Sequence, residues 1–454
     1  MSISEAGATA GRYPLSANLG LLCIFDKGAT DGAFGPRHLV IHGWRVRGEL
    51  DLAALRGALD DVVERHEILR TEIVRDGGEQ YQRVHPPSSP ELRVHELTDN
   101  GLPRDEQVDD FVNSVEAGRL GADVLPHLRA ELGRFDDQDA VLVLIVHHTA
   151  GDGWSLHVLI HELAVSYARR RGLDVPELPE ARQYGDFSVR QIDDLATANS
   201  QASRDYWGGK LRGGRMLDIK SDRTLAPETA AVYAVERFLL DAELTRGTME
   251  LARVMHSSPF MVLLAAFNAL LARKSGATDL VVPIITSGRS DSAFMETVGP
   301  FFNLVPLRTD IDGCRTFSEL VLRIRATCLE AYAHELPFSE VVAQAPEINK
   351  TYERDDNAVC AIQVLQFPGM TEAETVGDVE YAEVRKRTKS CDDTSDIPNG
   401  VLWALDILAD GEIAGTSRYN TEQFDRETMV RMIEDYRGIL ASGLTDPNRP
   451  LWAL

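Results

Sequence analysis

Residues 140–146 read AVLVLIV, a run of seven apolar residues that stops abruptly at HHTAGDG. A run without polar alternation suits a strand buried on both faces, which places it inside a sheet layered with helices. Beyond the loop, Leu156, Leu159, Ile160, Leu163 and Tyr167 recur at helical spacing, and Arg169–Arg171 with Gly172 provide basic and glycine stop signals. The segment therefore predicts a strand, loop, helix unit. Upstream, Asp51 is placed to cap a helix over 52–66, with Leu52, Leu55, Leu59, Val62 and Val63 on one face.

The second half repeats the style. Ser258 and Pro259 open the apolar helix FMVLLAAFNALLARK, Gly276 ends it, and the strand DLVVPIIT follows. Thr316 and Glu319 have capping-box spacing before a helix to about Ala333, and Phe424, Asp425 and Met429 fit a hydrophobic staple around an N-cap. Between the halves, Leu173 to about Met216 carries glycines and the polar run ATANSQASRD but no long apolar strand. It reads as a connection, giving an N-terminal lobe over 1–180 and the connection with a C-terminal lobe over 181–454.

Composition removes several function classes. With 44% hydrophobic and 26% charged residues in 454, the chain is neither collagen-like, disordered nor disulfide-stapled. The balance of 47 basic against 71 acidic residues, −24, disfavours nucleic-acid backbones and anionic membrane surfaces. The longest apolar run falls far short of the roughly 18 residues of a membrane span, and the start MSISEAGATAGRYPLSA lacks a signal core, so a cytosolic location is expected. Cys23, Cys314, Cys328, Cys360 and Cys391 are odd in number and lack CxxC spacing, which predicts reduced thiols.

Chemistry concentrates in HHTAGDGWS, 147–155. An imidazole at the end of a rigid strand can accept a proton near neutral pH, Asp152 can fix the loop, Gly153 permits close approach of a substrate, and the following helix start presents N–H groups to negative charge. A capped helix start beside two satisfied histidines is the plainer alternative for an isolated pair. His157 and His161 stand four apart on the helix, but HExxH is absent and Glu162 follows the pair, so no metal is expected. The runs Arg385, Lys386, Arg387, Lys389 and Arg169–Arg171 read first as solvated faces or helix-end charge.

HHTAGDG resembles the HHxxxDG signature of nonribosomal peptide synthetase condensation domains. Further stretches resemble the family in order: RHEILRT (65–71), YGDFSV (184–189), YWGGKL (206–211), VGPFFNLVPLR (298–308), HELPF (334–338) and YNTEQFDRETMVRM (419–432). The resemblance implies an α/β (α+β) fold of two chloramphenicol-acetyltransferase-like lobes forming a pseudo-dimer, with the active site in a tunnel between them. It implies that His148 orients or deprotonates the acceptor and that Gly153 lies beside the substrate channel. His147 is implied to be structural, and Asp152 to hold the loop through an arginine of the second lobe, for which Arg289 is the candidate. Trp154, Ser155 and Gln366 are expected on the substrate side. The acceptor-facing motif is only loosely matched by ERDDNAVCAIQVLQF (353–367), and CDDTSDIPNG (391–400) interrupts the region that usually crosses between lobes.

The implied function is that of a free-standing condensation enzyme, similar to those of enediyne pathways, without attached adenylation or carrier domains. It would join an aminoacyl or aryl thioester to an alcohol or amine. The phosphopantetheine arm belongs to a separate carrier protein and no cofactor is bound by this chain. Carriers are commonly acidic, so at −24 docking calls for a local patch, and Arg169–Arg171 are the expected one. Three alternatives are an epimerisation domain, whose EGHGRE-like motif is absent, a coenzyme A-dependent acyltransferase, and a non-catalytic recruitment domain, which would carry a spoiled histidine pair.

Overall fold

Alternate residues of the Ala140–Val146 run enter two different cores. Ala140, Leu142, Leu144 and Val146 pack with Leu55, Leu59, Val62, Leu156, Leu159 and Leu163, whereas Val141, Val143 and Ile145 pack with Val108, Phe111, Val112 and Val115. Since successive side chains of a strand point to opposite faces, one all-apolar strand serves both layers. The protein is described from a computed structural model covering residues 11–75, 79–98, 100–226, 231–365, 373–397, 400–408 and 410–453.

The strand Asp139–His147 lies inside a six-stranded sheet, in spatial order Glu374–Val376, Val379–Glu383, Leu39–Arg47, Asp139–His147, Leu128–Arg134 and Glu91–Glu96. Its register against Leu39–Arg47 runs from Leu39 opposite His147 to Arg47 opposite Asp139. The helices Leu52–Arg65 and Gly153–Arg170 line one face and Arg104–Glu116 the other. Asp51 caps the first of these as expected, its Oδ1 accepting from the amides of Ala53 and Ala54.

A second sheet runs Asn303–Asp310, Asp279–Thr286, Asn357–Leu365, Val401–Ile407, Ile413–Asn420 and Tyr233–Leu240, with Asp218–Lys220 added against Asn357–Leu365. Its long helix, Pro259–Ser275, begins where Ser258 Oγ accepts from the Met261 amide and ends at Gly276 with φ 73°. Every residue from Met261 to Ala272 is buried. Thr316 caps Phe317–Ala333, and Glu319 reaches back to the Arg315 amide at 2.6 Å. At Arg426–Thr445 the flanking Phe424 and Met429 are buried as predicted, but Asp425 gives its carboxylate to Arg223 and makes no side-chain cap.

The two compact units are not contiguous halves, which corrects the boundary at residue 180. The first takes the chain as far as Ala196, then recovers Ser287–Phe302 and a stretch ending at Val384; the rest forms the second. The cause is pairing distant in sequence: Val379–Glu383 joins the first sheet antiparallel to Leu39–Arg47. The expected connection is itself helical, Tyr184–Leu195 closing the first unit and Ala198–Lys210 opening the second.

Among the described residues no single helix is long and apolar enough to cross a membrane. All five cysteines are free of disulfides.

Candidate active site

The strand Asp139–His147 delivers two histidines to different surroundings. His147 is fully buried. Its Nε2 lies 3.0 Å from the Gly35 carbonyl, which can only accept, so that nitrogen carries the proton. Nδ1 then accepts from the Thr149 amide at 3.2 Å. Burial pushes the His147 pKa down to about 3, and His127 beside it to about 4. His147 is thus a neutral structural residue.

His148 sits in the turn that follows and is half-buried. Its Nδ1 lies 2.9 Å from the Gly151 carbonyl and donates to it, so the neutral ring carries its lone pair on Nε2. The ring stacks on His38, centroids 4.7 Å apart, and meets the Phe302 ring at 4.4 Å. His38 donates from Nδ1 to the Ala33 carbonyl at 2.9 Å, and burial first, then His148 and His147, hold its pKa well below the ordinary value. A neutral His38 adds no positive charge beside the His148 ring. An imidazole fixed in one tautomer and wedged between two rings can accept a proton from a hydroxyl or amine at Nε2.

Asp152 organises the loop. It caps the helix Gly153–Arg170, Oδ1 accepting from the Ser155 amide at 2.7 Å and lying 2.7 Å from Ser155 Oγ, while Oδ2 accepts from the Phe301 amide at 3.1 Å. Arg289 Nη2 donates to Asp152 Oδ1 at 3.1 Å, and Nη1 donates to the carbonyls of Phe294 and Thr297 at 3.0 and 2.8 Å. The Arg289 side chain is 0% exposed and that of Asp152 6%. Arg289 was expected from the second lobe, yet its segment Ser287–Phe302 packs within the first unit. The pair therefore ties that segment to the loop inside one unit.

Three expectations change at this point. Trp154 Nε1 donates to the Met295 carbonyl at 2.8 Å, and Ser155, fully buried, accepts from the Gly299 amide at 3.0 Å. Both anchor the Ser287–Phe302 segment, which replaces the substrate-side role expected of them. The Ser155 amide at the helix start is taken by Asp152, so the negative charge it meets is the protein's own carboxylate. Gly153 opens the helix, and its carbonyl accepts from His157 Nδ1 at 3.0 Å. Gln366 lies outside the described residues.

The YGDFSV and VGPFFN motifs meet here. Tyr184, fully buried, donates to the Pro300 carbonyl at 3.0 Å, and Phe187 and Phe301 lie 4.5 Å apart. A Cβ on Gly299 would fall 2.0 Å from Tyr184 Cδ2, which is why glycine stands there. These contacts place Phe302 against His148. His38, His127 and Phe302 were not singled out from the sequence, because each comes to the site through pairing distant in the chain.

Part of each basic run is paired locally. Arg170 pairs with Asp61 and Arg171 with Asp378 at 2.8 Å, while Arg169 donates to the Pro176 carbonyl. Two of the three charges expected to form a carrier patch, Arg170 and Arg171, are thus balanced by neighbouring carboxylates. Lys386 pairs with Asp410, and Arg385 with Asp406.

A family model described as Condensation domain matches residues 40–454. The chain belongs to the condensation-domain family. The SgcC5 protein from Streptomyces globisporus, solved in complex with (R)-(−)-1-(2-naphthyl)-1,2-ethanediol and sucrose, is 40% identical with a TM-score of 0.93, over 96% of this condensation domain and 100% of that chain. The dimodular nonribosomal peptide synthase of Bacillus subtilis (strain 168) is 32% identical over 90% of the chain, which spans only 17% of that protein's length. The X-domain from teicoplanin biosynthesis, 24% identical with a TM-score of 0.76 and covering 98% of this chain and 97% of its own, shares the fold. The two-lobe chloramphenicol-acetyltransferase-like architecture is thereby established.

Burial of neutral His127 carries a pH signature. Its folded pKa is depressed below the ordinary 6.5, so the unfolded chain binds the extra proton and stability, full above about pH 6.5, falls as pH drops towards 4. His127→Gln keeps a donor for the Thr71 carbonyl, 2.9 Å from Nε2, without titrating. Melting temperatures between pH 7 and 5 should fall less steeply for this variant; identical slopes would refute the assignment.

Proposed function

We propose that the protein transfers an aminoacyl or aryl group from the phosphopantetheine thioester of a separate carrier protein to an alcohol. The arrangement of His148 carries the proposal: Nδ1 bonded to Gly151, the lone pair on Nε2, and two rings fixing its plane. Family membership supports an amide- or ester-forming acyl transfer. The vicinal diol bound by SgcC5, 40% identical, favours oxygen over nitrogen as the attacking atom.

In the proposed step, the acceptor hydroxyl gives its proton to His148 Nε2 as its oxygen attacks the thioester carbonyl. The C–S bond then breaks, and the proton passes from Nε2 to the departing thiolate. Ester and free phosphopantetheine thiol result. Asp152 and Arg289 are positioning residues that hold the loop. This chain supplies no cofactor; the arm arrives with its carrier, and we place the reaction in the cytosol.

A non-catalytic recruitment role, the other class considered, is disfavoured by the intact His147–His148 pair and the fixed tautomer of His148. The donor distinguishes the enzyme readings. Steady-state transfer to an aryl-1,2-diol should proceed with higher kcat/KM from the loaded carrier than from the same acyl group on coenzyme A. Equal or better use of the coenzyme A thioester would replace this reading with a coenzyme A-dependent acyltransferase.

A further inference from the structure

We infer that His42, His157 and Glu383 form a binding site for a divalent metal ion of the zinc class, separate from the His148 site and independent of the transfer reaction proposed above. The expectation of no metal came from sequence spacing, which tested His157 only against His161. In the structure these two diverge, His161 towards Glu374 at 3.6 Å and His157 towards Glu383.

Three elements of the first unit converge on the site. His42 lies on Leu39–Arg47, Glu383 ends the neighbouring antiparallel strand opposite Trp44, and His157 lies one turn into Gly153–Arg170. Leu39 and Ile41 face one core and Trp44 and Val46 the other, so alternation puts His42 on the face covered by that helix. His42 Nδ1 is 3.0 Å from Glu383 Oε1, and His157 Nε2 is 3.1 Å from Glu383 Oε2. Ligand atoms of all three residues lie within 4.8 Å of one another. Around a tetrahedral ion with nitrogen and oxygen ligands at about 2.0–2.1 Å, ligand atoms stand about 3.3 Å apart.

The hydrogen-bond geometry suits the cluster to a cation. His157 Nδ1 lies 3.0 Å from the Gly153 carbonyl and must donate to it, so the neutral ring turns its Nε2 lone pair towards a carboxylate oxygen. The Glu383 side chain is 2% exposed and that of His157 9%, so both ligand groups are largely removed from water. A proton on His157 Nε2 would satisfy its contact with Glu383; a metal ion would take the lone pairs of both rings and the carboxylate at once. Anchoring the second ring nitrogen on a backbone carbonyl is also the usual outer-shell support of a metal-bound histidine. His42 has its side chain 25% exposed, but its Nδ1 is buried and makes no hydrogen bond of good geometry, an orphaned polar atom facing the cluster.

The anchor carbonyl belongs to Gly153, next to Asp152. A metal here would brace the start of the active-site helix, a structural role.

The test uses untagged full-length chain, stripped with chelator and titrated with Co2+, then displaced with Zn2+. One equivalent should bind per chain, with visible absorption of low-coordinate Co2+ and a raised melting temperature with Zn2+. Glu383→Gln and His157→Ala should abolish both, whereas His161→Ala and His148→Ala should retain them. Should either ligand variant fail to fold, His42→Asn, altering the most exposed ligand, gives the same reading. Absence of stoichiometric Co2+ binding in wild type would overturn the inference and leave a proton-bridged His–Glu–His cluster. A signal persisting in folded Glu383→Gln, or lost in His161→Ala, would also overturn it.

Discussion

Replacing His148 by alanine is expected to lower acyl transfer by about 10²–10⁴-fold while leaving the melting temperature close to wild type. The ring is half-buried at the end of the strand, and its Nδ1 bonds to the Gly151 carbonyl of the same turn. Its removal withdraws the Nε2 acceptor without stranding a charge. His147→Ala should behave oppositely, because that ring is fully buried and links Gly35 to Thr149. Rates with saturating carrier-loaded donor, measured beside thermal melts, separate the two. Wild-type turnover by His148→Ala would remove this residue from the chemistry.

Breaking the Asp152–Arg289 pair should cost about 3–5 kcal/mol, because removing one member leaves the other charged and buried. Arg289→Ala abandons bonds to Asp152, Phe294 and Thr297 at once; Asp152→Asn keeps the shape but withdraws the counter-charge. A melting temperature lower by on the order of 10 °C is expected for either. Activity should fall too, since the released segment carries Phe302 against His148. An unchanged melting temperature would show that the pair does not hold the loop.

Local elements were readable where local physics decides them. Asp51, Ser258 and Thr316 cap helices as their spacing predicted, and Gly276 ends one in the left-handed conformation. The run 140–146 announced a strand buried on both sides, and HHTAGDG announced its turn. The site's remaining partners were hidden by sequence distance. Nothing in GPRHLVIHGW indicates that His38 stacks on His148 or that His42 faces Glu383 across 341 positions. Trp154 and Ser155 were misread because their proximity to His148 in sequence suggested substrate, whereas helical geometry turns them onto residues 295–299. The boundary at 180 failed for the same reason, a strand from beyond residue 370 completing the first sheet.

The most direct test follows the acyl group itself. A carrier loaded with an aryl or aminoacyl thioester is mixed with excess enzyme and an aryl-1,2-diol, and intact-protein mass spectrometry records the carrier over a single turnover. With wild type, the acyl mass should leave the carrier only when the diol is present and reappear as ester, and with His148→Ala it should stay on the carrier over the same interval. Acyl loss at equal rates with both proteins, or none with wild type across a panel of loaded carriers and diols, would contradict a His148-centred acyl transfer.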